Sequence, residues 1–261
     1  GGGGGGGGSG GCAGGGAFGV GVGGGDPGRI SGVHAGGEEL PAELLVLALG
    51  VRPASGLGEQ AGLALGPQGA VLVDEQTRTS AGEVFAAGDC ATQRHLVTGQ
   101  QVFISQALAA NRQGRVAGAC AALELLGRGK EAPRDPGTLG TAVKKVFDLE
   151  VGRTGLSLGE ARRAGLQAFV TVISSRNRAA YYPGSGPLKV ALVAERGTGR
   201  LLGGQVAGAQ GAAKRVDVLA TALSAGLDLE RLAALDLGYA PVFSPLWDPL
   251  LVAARQAMKG A

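Results

Sequence analysis

The sequence predicts a partial α/β open-sheet domain followed by an α+β layer. The short apolar run Val84-Phe85-Ala86-Ala87 ends abruptly in Gly88-Asp89, the pattern of a strand buried on both faces with a carboxylate at its carboxyl edge. A helical stretch follows it, from near Ile104 to about Leu126. Beyond residue 137, strand-like segments precede a stretch in which Val216, Leu219, Ala220, Leu223 and Leu227 recur at helical spacing. Lys214, Arg215, Asp217 and Thr221 fall on its other face.

Taken in order, residues 1–28 are nearly all glycine and offer too little apolar surface to offset backbone entropy, so this tract is expected to be disordered. Its spacing Gly14-x-Gly16-x-x-Gly19 fits a dinucleotide fingerprint only formally, because no strand precedes it and no helix follows it. In residues 29–56 a weak alternation over 30–35 precedes the turn Gly36-Gly37, and the run Leu44-Leu45-Val46-Leu47-Ala48-Leu49 reads as a buried strand. His34, alone in the weak strand, reads as surface.

Residues 57–136 are expected to hold a strand over 70–73, the strand over 84–87 and the long helix. In open α/β sheets ligands bind at the carboxyl edge of the strands, and a glycine before the aspartate lets backbone approach them closely. An ionised Asp89 there would accept ligand hydroxyls, each charged hydrogen bond contributing about 1.5–3 kcal/mol. The helix start adds unpaired amides with partial positive charge. Cys90 and Cys120 read as small apolar core residues, and with Cys12 they form no CxxC pair and no metal-ligand spacing, so no metal site is expected.

Arg134-Asp135-Pro136-Gly137 forms a turn and a domain boundary. Residues 137–261 then offer a strand over 142–147 and a capping box Ser157-x-x-Glu160 opening a helix to about Gly165. Strands over 168–173, 188–194 and 201–207 follow, the last two joined by a hairpin at Gly197-Thr198-Gly199.

The 261 residues carry a net charge of +3 with no basic run interleaved with aromatics, so nucleic acid is not an expected partner. No uninterrupted apolar run of membrane-spanning length and no cationic leader appear, and sparse, odd cysteines suit a reducing cytoplasm.

The stretch Thr79-Ser80 with Val84-Phe85-Ala86-Ala87-Gly88-Asp89 resembles the second flavin-binding motif of the FAD-dependent pyridine nucleotide-disulfide oxidoreductases. Three further stretches are similar to the coenzyme A-disulfide reductase and NADH oxidase branch: Gly140-Thr141-Ala142-Val143-Lys144-Lys145-Val146-Phe147, Tyr181-Tyr182-Pro183-Gly184, and the run from Asp236 through Tyr239-Ala240-Pro241 to Trp247-Asp248-Pro249. The resemblance implies a remnant of an NAD(P)H domain over 29–56, the returning part of an FAD-binding Rossmann-like domain over 57–136, and a dimerisation domain over 137–261 that makes a homodimer. It implies that Thr79 and Asp89 contact FAD, Asp89 at the ribityl chain, and that Ser105 and Ala107 at the helix start meet the pyrimidine edge of the flavin. Tyr239 becomes the flavin-side phenol and Tyr181 the second phenol, able to protonate a leaving thiolate across the two-fold axis. Asn111 and Trp247 would border a coenzyme A pocket. NAD(P)H would be co-substrate, and the acceptor coenzyme A disulfide or a related small acceptor such as oxygen, peroxide or polysulfide.

The family's redox cysteine, the first flavin fingerprint and the NAD(P)H fingerprint have no credible counterpart in this sequence. The chain is therefore expected to be shortened at its amino end and inactive by itself. A non-catalytic dimerisation or interaction module is the alternative reading.

Overall fold

The computed structural model describes residues 21–23, 30–35 and 37–261. The glycine fingerprint spacing at 14–19 and Cys12 lie outside them. Contacts divide the chain into two compact units, one reaching to Val51 and one from Arg52 to Ala261.

The first unit holds an antiparallel three-stranded sheet of β1 (Gly21–Gly23), β2 (Gly32–Ala35) and β3 (Glu38–Pro41), with Val33 opposite both Val22 and Leu40. His34 is exposed on β2, as a surface histidine should be. The expected buried strand at 44–49 is absent. That run has no regular structure, and Leu44 is 80 % exposed and Leu49 89 % exposed. Continuous apolarity reports a capacity for two-sided burial, but a strand forms only where neighbours supply the ladder, and no described strand flanks this one.

The second unit begins with α1 (Gly56–Gln60) and then a region of turns and single bridges. Val71, expected in a strand over 70–73, is buried but pairs only through isolated bridges to Leu65 and, in parallel, to Ala91. The run 84–87 departs further from expectation: Phe85 makes one bridge to Arg78, and Val84 is 43 % exposed. Here too the described residues offer no adjoining strand that would cover both faces. β4 (Gln93–Arg94) and β5 (Gln101–Val102) form a small hairpin, and α2 (Ala107–Leu125) follows where a helix was expected, starting three residues later than Ile104. Cys120 is fully buried on α2, consistent with a packing role.

The α+β layer is complete. β6 (Ala142–Val146), β7 (Leu149–Gly155), β8 (Ala168–Arg176), β9 (Pro187–Glu195) and β10 (Leu201–Gly208) form one antiparallel sheet in the order β6-β7-β10-β9-β8. α3 (Leu158–Arg163) opens with the expected capping box, Ser157 accepting from the Glu160 N–H while the Glu160 carboxylate accepts from the Ser157 N–H. α4 (Ala212–Ser224) packs on β7 and β10, ending before Leu227, which reaches the same core from the following turn. The backbone comes close because a Cβ on Gly204 would lie 2.7 Å from Leu219 Cδ1. α5 (Leu229–Ala233) and α6 (Pro249–Ala257) complete the layer, α6 covering β8 and β9. Leu188, Val190, Leu192, Val216, Leu219 and Leu250 are all under 2 % exposed at its centre. Sequence inspection did not anticipate α6, although Asp248-Pro249 is a sound start signal: Asp248 accepts from the Leu250 N–H, and proline at the first position needs no partner.

Candidate functional site

Asp89 is exposed and follows Gly88, whose φ of 81° lies in the left-handed region that an L side chain enters only with strain. The turn is held from below by Gln113 on α2. Its Oε1 accepts the Gly88 N–H at 3.0 Å and its Nε2 donates to Thr92 O at 2.8 Å. Gln113 is 1 % exposed, and both ends of its amide are used, so it fixes where Asp89 can point. Gln113 falls within the helix expected from near Ile104 to about Leu126, but nothing in that expectation singled it out.

Ser105 Oγ donates to Asp89 Oδ2 at 2.7 Å, so the structure brings these two expected site residues together. The other carboxylate oxygen, Oδ1, makes no hydrogen bond to a described residue. Two residues on, α2 begins with Ala107, its cap residue Gln106 using its side chain elsewhere, on Thr141 O at 3.1 Å. The first amides of α2 thus lack a side-chain cap, and no acidic residue sits in its first turn. Ala107 and Leu108 are exposed and line a cleft of about 680 Å³. A carboxylate with one unengaged oxygen beside an electropositive helix start suits a ligand that carries hydroxyls and gathers electron density.

Thr79 is placed differently. Its hydroxyl donates to Ala81 O at 3.0 Å and accepts from the Ala81 N–H at 3.2 Å, and the residue is 8 % exposed. The hydroxyl closes its own turn rather than facing the Asp89 carboxylate. Asn111 is exposed on α2, next to Arg112, whose guanidinium donates to Gly137 O. Cys90 is half-buried, with its thiol donating to Ala87 O.

The remaining expected residues lie on two loops of the α+β layer. The Tyr181 and Tyr239 phenols lie near enough to influence each other electrostatically. Partial desolvation and the neighbouring Tyr239 phenol raise the Tyr181 phenol above its ordinary value, so it holds its proton at neutral pH. Tyr239→Phe is expected to move the Tyr181 titration back toward the ordinary value, readable by ultraviolet titration because the chain has only three tyrosines. An unchanged curve would show that the two phenols are not coupled. Trp247 is 49 % exposed, with the Arg255 guanidinium stacked 3.8 Å from its ring centre.

These loops are tied together by a buried polar network that sequence inspection missed. Arg215 on α4 bonds Asp248 through Nε at 2.9 Å and Nη2 at 2.8 Å, and Nη2 also donates to Asn177 O at 3.1 Å. Ser244 Oγ donates to Asp248 Oδ2 at 3.1 Å. Asn177 itself accepts the Gly186 N–H at 2.8 Å and donates to Gln210 O at 2.9 Å, and Ala179 N–H donates to Pro241 O. The Tyr181 loop, the Tyr239 loop and the Trp247 stack therefore hang on one ion pair.

Residues 21–114 match the family model described as pyridine nucleotide-disulphide oxidoreductase, and residues 141–249 match the dimerisation domain of the same family. The chain belongs to the pyridine nucleotide-disulphide oxidoreductase family. It contains part of the family's Rossmann-like FAD/NAD-binding domain and its dimerisation domain, and the family uses FAD and NAD(P)H. It is 41 % identical over 227 residues to an NAD(P)H coenzyme A polysulfide/persulfide reductase of Pyrococcus horikoshii, covering 87 % of this chain and 49 % of that protein. It is 32 % identical over 231 residues to an NADH oxidase of Methanocaldococcus jannaschii, covering 88 % of this chain and 50 % of the relative. Among solved structures, a NAD-dependent persulfide reductase from A. fulgidus superposes with a TM-score of 0.79 at 40 % identity, covering 89 % of this chain and 42 % of that one. The chain thus spans about half the length of the relatives it matches.

The described residues fit one end of an FAD site: Asp89 with its unengaged oxygen, Ser105 beside it, and the start of α2. No strand-GxGxxG-helix unit occurs among the described residues to receive the pyrophosphate. No described helix is long and apolar enough to cross a membrane.

Proposed function

We propose that this chain forms the flavin-end and dimer-forming part of a flavin-dependent NAD(P)H oxidoreductase that reduces a coenzyme A-linked disulfide or persulfide, or a related small acceptor. The observation that carries it is the Asp89–Ser105 pair beside the uncapped start of α2, in a chain 41 % identical to a coenzyme A polysulfide/persulfide reductase. FAD, when bound, supplies hydride acceptance from NAD(P)H and passes the electrons to the acceptor. Asp89 binds a ribityl hydroxyl through Oδ1, and Ser105 and Gln113 keep its carboxylate turned outward. The amides at Ala107 and Leu108 stabilise negative charge at the pyrimidine edge.

The homodimer forms through residues 137–261, and each Tyr181/Tyr239 pair reaches the partner's site. Tyr239 lies on the flavin side, and a protonated Tyr181 stands ready to give a proton to a leaving thiolate. Trp247 with Arg255, and Asn111, border the nucleotide portion of the thiol substrate.

The complete sheet-and-helix layer favours a second reading, a dimerisation module without turnover. Both readings are tested by joining the preceding half of the Pyrococcus horikoshii relative to residues 29–261. The joined protein is expected to hold FAD stoichiometrically and to consume NADH with a coenzyme A-linked acceptor, while the 261-residue chain alone does neither. A joined dimer that binds no flavin favours the module, and a strict monomer contradicts both.

A further inference from the structure

A second cavity, of about 510 Å³, lies between the β4–β5 hairpin and the β7–α3 corner. It is on the other side of the 104–106 segment from Asp89: Ser105 turns to Asp89 while Ile104 and Gln106 line the cavity. Its volume is ordinary for a small-molecule site. Nothing in the proposed flavin or thiol chemistry uses it.

The lining is divided by chemistry. Phe103, Leu139 and Leu156, each under 10 % exposed, form an apolar part. Opposite them are donors. His95 is 4 % exposed, and its Nδ1 accepts the Val97 N–H at 3.3 Å, which places the ring proton on Nε2. Burial holds this imidazole below its ordinary pKa, so it is a neutral donor at pH 7.

Arg153 is paired with Glu160. Burial would raise that carboxyl, but Arg153 and the Ser157 amide and hydroxyl outweigh it and bring it down to about 2. The pair cancels, leaving Arg163, an exposed residue of the same helix that also borders the cavity, with no carboxylate partner among the described residues. Gln68, also in the lining, holds a left-handed φ of 57°, a conformation glutamine seldom adopts and one that gathers at ligand contacts.

We infer that this cavity binds a small amphipathic anion, a carboxylate or phosphate monoester carried on a short apolar body. Arg163 and His95 Nε2 receive the anionic head, and Phe103, Leu139 and Leu156 receive the body. The site is independent of the flavin reading, since no residue of the Asp89–Ser105–Gln113 group lines it.

The test is titration of the 261-residue chain with octanoate and hexyl phosphate, read by amide chemical shifts and by calorimetry. Expected is saturable one-site binding, with shifts confined to His95, Gln100, Gly155 and Arg163 and their neighbours. 1-Octanol and inorganic phosphate, which each lack half of the recognition, should bind at least about 10-fold more weakly. Arg163→Gln, at an exposed helix position, should weaken octanoate on the order of 5-fold or more, whereas Lys214→Gln, of equal charge change, should not. The proposal is overturned by octanol binding as tightly as octanoate, by equal losses in the two variants, or by shifts that miss the cavity. Absence of saturation by either amphipathic probe also overturns it.

Discussion

Replacing Asp248 by alanine is expected to destabilise the chain by about 3–5 kcal/mol, the usual cost of leaving one member of a buried ion pair without its partner. Arg215 and Asp248 side chains are 8 % and 12 % exposed, so solvent cannot take over the role of the lost group. The guanidinium would retain Asn177 O and Gly211 O but lose two charge-assisted bonds, and α6 would lose its cap at the Leu250 N–H. Chemical denaturation of the variant should show a lower midpoint with little change in slope. Because Asn177, Ser244 and Asp248 bracket both tyrosine loops, the Tyr181 titration should also shift toward that of an isolated phenol. A variant within 1 kcal/mol of the parent would show that the network is not holding the loops.

Gly203→Val is expected to be as severe, by about 3 kcal/mol or more, through a steric route. Gly203 on β10 sits opposite Gly155 on β7, where the ladder to β9 shifts register. A Cβ at 203 would lie 2.1 Å from Leu156 O and 2.6 Å from Leu156 N. Backbone that close has no rotamer with which to yield, and the Leu156 N–H is already bonded to Leu202 O at 2.9 Å. Gly238→Ala, with open space around its Cβ, is the matched control and should stay within about 0.5 kcal/mol of the parent. Equal stability of the two variants would contradict the packing described.

How much of this was legible in the sequence depends on where each element obtains its burial. β8, β9 and β10 were readable as apolar runs set between turn residues, and the sheet finds cover on both faces, from α4 and α6 on one and from Ala161 of α3, against Ala168, Val193 and Leu202, on the other. The Ser157–Glu160 capping box was readable because both partners lie within one turn. The runs at 44–49 and 84–87 were misread because apolarity records what a segment could bury, not whether a neighbour is present to bury it.

The motif resemblance assigned Asp89 to the ribityl chain and Ser105 to the pyrimidine edge, and did not announce the direct hydrogen bond between them. Nor did it announce the engagement of Thr79 with Ala81, since turn closure and ligand contact use the same hydroxyl and look alike in one dimension. Arg215 and Asp248 are separated by 33 positions, and nothing local to either announces the other.

Asp89 is the proposed flavin anchor. The direct measurement is the FAD dissociation constant of the joined protein described above, compared with its Asp89→Ala variant and an exposed-carboxylate control, Asp236→Ala. Loss of a charged hydrogen bond of about 1.5–3 kcal/mol predicts roughly 10- to 100-fold weaker binding for Asp89→Ala and no change for the control. Equal flavin affinity in all three proteins would contradict the account.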